Sequence, residues 1–202
     1  MNDDVVLCAI WANELWRLPR PDTSCCGYVL IEVRAASGYE PLAAAMEMDQ
    51  SVVRQRLERG CRCFAAHTRS HEVASWMWVS TGCEWAPPLK QQLHFAPDEC
   101  YGWNVGTLPQ HRRRGLCTGL LQWAGWRMAQ EGCRLMWNGI LDENLPSQRA
   151  HAAAGMRPIV RLTAVHQPAP TQLRVRAADY ADPELVQRAQ RVVGCMPSGR
   201  RP

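Results

Sequence analysis

From Leu116 the chain places Leu116, Leu120, Ala124 and Met128 at four-residue steps, adds Trp123 and Trp126, and reaches Gly132. That period predicts a well-buried helix over 114–131, ended by the glycine. Upstream, Glu99–Gly106 alternates on a two-residue period and predicts a central strand with Glu99, Tyr101, Trp103 and Val105 on one face. Tyr28–Arg34 reads as a first core strand, followed by helical segments near 40–48 and 51–59 that Gly60 terminates. Cys61–His67 and Glu72–Ser80 form two β-rich runs around Thr-Arg-Ser-His, which predicts a hairpin with Trp76 and Trp78 on one face. Residues 81–97 break every period and predict a long loop, read as the wall of a substrate site.

Further along, Leu135–Ile140 reads as a strand, Asn144 as the cap of a short Ala-rich helix ending at Gly155, and Met156–Val165 as a returning strand. Pro168-Ala-Pro170 is a stiff connector to a last strand at Leu173–Ala177. Asp182-Pro183 predicts a final helix to Val193. Residues 5–18 fit either an added strand or a short helix, ended by Pro19 and Pro21.

Composition narrows the class. A chain of 202 residues, 47% hydrophobic and 21% charged, reads as one ordinary globular domain or one domain with appendages, and no apolar run approaches the ~20 residues of a membrane span. The acidic start Met-Asn-Asp-Asp lacks the basic region of a secretory signal, so a cytoplasmic location is expected. The ten cysteines, including Cys25-Cys26 and Cys61-x-Cys63, show no C-x-x-C or zinc-site spacing, so reduced thiols and no metal are expected. A net charge of +4 fits a phosphate-bearing cofactor as well as a nucleic acid, and charge alone does not choose between them.

The chemistry concentrates in Thr107–Leu121. Pro109 closes a strand, Gly115 permits close backbone approach, and a helix begins beside Arg112, Arg113 and Arg114. Unpaired N–H groups at the helix start, together with these arginines, form a site for a phosphate or pyrophosphate.

Arg112-x-x-Gly115-x-Cys117, preceded by Thr107-x-Pro109, resembles the phosphate loop of the GNAT superfamily of acyl-CoA-dependent N-acyltransferases, Arg/Gln-x-x-Gly-x-Gly/Ala after Val-x-Pro. Asn144-x-x-Ser147-x-x-Ala150-His151-x-x-x-Gly155-Met156 resembles the second signature of that family. Cys117 stands where Gly or Ala is usual, and His151 where the family has tyrosine. The resemblance implies an α/β (α+β) fold: a mixed, mainly antiparallel sheet, splayed at the acyl-CoA site and flanked by helices. It covers 28–165 as the acyltransferase domain, leaving 1–27 as an N-terminal extension and 166–202 as a strand and helix that complete or extend the domain.

The same resemblance implies acetyl-CoA or another acyl-CoA as co-substrate and a small-molecule or peptide amine as acceptor. Backbone N–H groups from Arg113 to Thr118 would hold the pyrophosphate, and Val105 and Thr107 would pair with the pantetheine arm. Asn144 and Ser147 would contact the cofactor. His151 takes the place of the leaving-group acid. For the base, the position eleven residues before Arg112 is Tyr101, with Glu99 two residues earlier on the same face and His94 and Glu84 as alternatives. A thiol at a helix start also has a lowered pKa in principle, which makes Cys117 a minor nucleophile candidate. Rival readings are a catalytically silent acyl-CoA-binding module, a longer acyl donor, and RNA binding, the last resting only on basic residues; a homodimer fits any of them.

Overall fold

The computed structural model describes residues 5–21, 27–34, 38–166 and 171–195. Their strands are β1 (Val5–Glu14), β2 (Val29–Val33), β3 (Arg62–His67), β4 (Val73–Thr81), β5 (Cys83–Ala86), β6 (Gln91–His94), β7 (Glu99–Thr107), β8 (Leu135–Leu141), β9 (Arg157–Val165) and β10 (Gln172–Ala177). The helices are α1 (Tyr39–Ala45), α2 (Gln50–Glu58), α3 (Leu116–Ala129), α4 (Leu145–Ala153) and α5 (Pro183–Val192). Eight strands make one sheet in the order β10-β9-β1-β8-β7-β4-β3-β2, antiparallel except for the β7–β8 pair. This is the mixed, mainly antiparallel and helix-flanked sheet expected above. The Pro168-Ala-Pro170 connector and Cys25-Cys26 lie outside the described residues.

Hydrophobic alternation sorts the helices onto two faces. Phe64, Met77, Cys100 and Met136 join Leu120, Ala124 and Met128 of α3 in one core. On the opposite face, α1 and α2 cover Cys63, Ala65 and Trp78, while α5 and the β5–β6 hairpin cover Ile10, Tyr101, Trp137 and Leu162. Trp76 and Trp78 do share a face, both packing with the α1–α2 core.

Tyr28–Arg34 supplies β2 as expected, the last strand of the sheet, which among the described residues pairs with β3 alone. Two local expectations need correction. Residues 81–97 are not an irregular loop but the hairpin β5–β6, whose turn is a 3-10 helix at Pro87–Leu89. Alternating burial of Glu84, Ala86 and Leu93 holds that hairpin on the sheet, a period interrupted in the sequence by Pro87-Pro88. Val105 also departs from its expected face. Between the pairs Trp76↔Gly106 and Trp78↔Trp103, two steps on β4 oppose three on β7, a bulge in which Asn104 takes φ +44°. Trp103 therefore packs on the α1–α2 and α5 side, and Val105 against the α3 core.

Residues 5–18 resolve as a strand followed by a short 3-10 turn at Leu15–Arg17. Both faces of β1 are buried, with Ala9 and Trp11 against the α3 core and Cys8, Ile10 and Ala12 opposite. A strand covered on both faces reads as a continuous apolar run without a diagnostic period. β1 lies between β8 and β9, so the stretch expected as an extension supplies an interior strand.

Candidate active site

The sheet opens at one point. β7 and β8 pair in parallel from Glu99↔Leu135 to Gly102↔Asn138, and there the pairing ends. Beyond it β7 stays with β4 as far as Ser75↔Thr107, and β8 stays with β1 as far as Cys8↔Leu141. The two halves of the sheet thus diverge after Gly102. Among the described residues, main-chain groups of β7 on its β8 side are left without a strand partner there.

At the end of β7 the chain makes a 3-10 turn at Pro109–His111 and enters α3 through a turn with two left-handed residues, Arg113 (φ +60°) and Gly115 (φ +74°). The glycine takes that conformation without steric cost, whereas Arg113 bears a cost of about 1 kcal/mol. Arg112 Nε donates to the carbonyl of Thr107 at 3.2 Å, tying the turn to the strand. Thr118 Oγ1 donates to the carbonyl of Ala150 at 3.2 Å, tying α3 to α4. Asn144 caps α4, its side-chain oxygen accepting from the Ser147 N–H at 3.2 Å.

These pieces enclose a cavity of about 740 Å³. Val105 and Thr107 line it from the strand, Arg112, Arg113, Gly115, Cys117 and Thr118 from the turn and α3, and Asn144 and Ser147 from α4. Nine of the ten cofactor candidates therefore meet on one wall; Arg114 does not line it. His111 does, although nothing in the sequence motif singled it out; its Nδ1 lies 2.9 Å from the Tyr28 hydroxyl.

The three catalytic candidates are placed elsewhere. Glu99 is fully buried, accepts the Ala96 N–H at 2.9 Å, and is ion-paired with Arg188 at 2.9 Å and Arg191 at 2.6 Å. It sits at the opposite end of β7 from Val105, six residues and roughly 20 Å away. Tyr101 crosses from β7 toward β8, so that a β-carbon on Gly139 would lie 2.9 Å from its hydroxyl. It stacks on Phe95 at 5.3 Å, and burial pushes its phenol up to about 12. His151 projects from α4 into the protein, 2% exposed. Its Nδ1 lies 2.8 Å from the Ser147 carbonyl, which can only accept, so the ring proton sits on Nδ1 and the buried Nε2 is bare and unpartnered. Burial also lowers its pKa, against the imidazolium form.

Of the alternatives, His94 is exposed on β6. Glu84 is buried, accepts from Ser80 Oγ at 2.6 Å, and is linked through that hydroxyl to Trp103 Nε1 at 2.8 Å. Cys117 is a correction: burial pushes its thiol up to about 11, the reverse of the activation expected at a helix start. Among the described residues no group of three or more His, Cys, Asp or Glu converges as a metal site. No helix among them is long and apolar enough to cross a membrane.

Residues 78–156, which run from β4 through the arginine-bearing turn to the end of the second motif, match the model of the acetyltransferase (GNAT) family. Over that stretch the chain is similar to GNAT acetyltransferase domains. No curated protein matches the chain. Solved structures that share the GNAT fold include a GNAT-family protein from Novosphingobium aromaticivorans, at 16% identity and a TM-score of 0.55, covering 86% of this chain and 66% of that one. A tandem GNAT protein from the clavulanic acid biosynthesis pathway matches at 19% and 0.55, covering 83% and 55%. A GCN5-related N-acetyltransferase from Sphaerobacter thermophilus matches at 16% and 0.57, covering 86% and 52%. The chain thus spans about half to two thirds of the length of these GNAT structures.

Proposed function

We propose that this chain transfers an acetyl or other short acyl group from CoA to a primary amine by direct attack in a ternary complex. The observation that supports this reading is the single cavity joining the diverging end of β7, the arginine-bearing turn and the start of α4. The pyrophosphate binds the N–H groups from Arg113 to Thr118, where the positive end of α3 and the guanidiniums of Arg112 and Arg113 reinforce one another. The pantetheine arm pairs with Val105 and Thr107 as an added strand, and Asn144 and Ser147 close over it. In the reaction the amine nitrogen bonds to the acyl carbon, the C–S bond breaks, the amine gives up a proton and the CoA thiolate takes one.

Because Glu99, Tyr101 and His151 stand off the cavity, rate enhancement on this reading rests on approximation and on main-chain polarisation of the thioester carbonyl. The amine then enters as its free base, and the turnover rate should rise roughly tenfold per pH unit below the pKa of the acceptor. Residues 28–165 are the proposed acyltransferase unit, with β1, β10 and α5 completing its sheet and cover. The free thiols among the described residues suit a reducing compartment.

The silent acyl-CoA-binding reading has one observation in its favour, the absence of any of the three catalytic candidates from the cavity wall. Incubation with acetyl-CoA and pooled primary amines, followed by product mass and CoA thiol release, separates the two. Acylated product supports transfer; tight CoA retention with no product for any amine or acyl length supports the binding module.

A further inference from the structure

A second cavity, of about 300 Å³, lies away from the acyl-CoA site, between α3 and the β2 edge of the sheet. Its floor is Trp123 and Trp126, and its wall includes Leu30, Ile31 and Glu32. Successive strand residues point to opposite faces, so three consecutive residues on one wall mean that the wall is the strand's backbone edge. Among the described residues that edge is open: β2 pairs with β3 alone, and no other backbone hydrogen bond reaches 29–33. Bare edges of this kind are templates for an added strand.

The charge beside the edge is one-sided. Glu32 is already taken up by Arg62 at 2.7 Å and Arg34 at 2.6 Å; burial would raise its pKa, yet these two arginines hold it below the ordinary value. Arg62 is shared with Glu131 at 2.5 Å, and Arg127 reaches Glu32 and Glu131 only at 3.7 and 3.9 Å. Arg20 meets no carboxylate among the described residues and lies over the Trp126 ring at 5.8 Å. Among the described residues four guanidiniums therefore face two carboxylates, a surplus of two positive charges next to unpaired backbone and two indoles.

We infer that the β2 edge and its cavity bind an extended acidic segment of a partner protein, which adds as a strand along Val29–Val33 and sets its carboxylates against Arg20 and Arg127. Main-chain bonds to the edge supply register, and the indoles receive the apolar side chains that alternate with the acidic ones. A second copy of this chain is the poorer occupant, because pairing two β2 edges brings two basic clusters together.

The test uses the full chain with two synthetic peptides, acetyl-(Glu-Val)4-amide and acetyl-(Lys-Val)4-amide, read by calorimetry and by amide hydrogen exchange. The acidic peptide should bind and slow exchange in 29–33 on the order of tenfold, and Arg20→Glu combined with Arg127→Glu should weaken it by on the order of tenfold or more. Arg20 is exposed, so Arg20→Glu alone, with a smaller loss, serves if the double variant folds poorly. Equal binding of the lysine peptide, binding without protection of 29–33, or no effect of either variant overturns the proposal. So does oligouridylate that outcompetes the acidic peptide, or a dimer in sedimentation whose formation excludes it.

Discussion

The Glu99 carboxylate lies 2.6 Å from Arg191 Nη2, ninety-two residues away, and this contact pins α5 to the start of β7. The same carboxylate accepts from Arg188, which also holds Asp98 at 2.9 Å. Removing the charge from a fully buried partner is costly even when the other partner is 40% exposed and therefore partly screened. Glu99→Gln should lose about 2 kcal/mol of stability, or roughly 5 °C in Tm, while acetyl-CoA affinity stays near that of wild type. A variant that keeps its Tm but loses turnover at low pH would instead make Glu99 the base.

Gly115 stands at φ +74°, and a β-carbon there would meet nothing within 4 Å, so substitution strains the backbone without causing a clash. Gly115→Val should weaken acetyl-CoA binding by on the order of tenfold or more by turning the α3 N–H groups away, with a Tm loss of only a few degrees. Gly115→Asn should fall between, since Asn tolerates the left-handed region. Calorimetric affinity and melting curves of the three proteins decide this; unchanged affinity in the valine variant removes the phosphate-turn assignment.

For Cys117, burial that pushes the thiol up to about 11 predicts an inert sulfur at neutral pH. Iodoacetamide at pH 7 should leave Cys117 unmodified on peptide mapping while exposed Cys83 reacts. Cys117→Ala should turn over within about twofold of wild type, since the loop acts through its backbone; a loss of 10²-fold or a trapped acyl-cysteine would reinstate a covalent step.

His151 yields a pH prediction. Its folded pKa is lowered from 6.5 by burial, so at pH values below about 6.5 the unfolded chain binds the proton that the folded ring refuses. Stability is fully present above that value and is lost as pH falls through the folded pKa. His67, lowered by burial and by His71, acts in the same direction. Urea melts at pH 7.5 and 5.5 should show a decline that His151→Gln reduces. A decline of the same size in the variant would assign the effect to His67 and other groups. In the same variant, acetyl-CoA affinity should be nearly intact, because the ring does not line the cavity.

The sequence by itself determined the local pieces whose signal is short-range. The α3 period, the Asn144 and Asp182 caps and the left-handed Gly115 each follow from neighbours within a few residues, and all are present. The turn before α3 and the cavity wall it forms were legible for the same reason, since a helix start and its preceding turn form one continuous segment. What only the tertiary structure decided involves partners distant in sequence. β1 carries apolar residues on both faces, and only its place between β8 and β9 makes it a strand. The bulge at Asn104 sends Val105 to the face opposite Trp103, because register against β4 overrides the two-residue count along β7. Whether Glu99 faces a substrate or two arginines, and whether His151 reaches a cavity or the interior, depends on α5 and on the rotation of α4. Those are set by packing over the whole sheet, and no spacing along the chain encodes them.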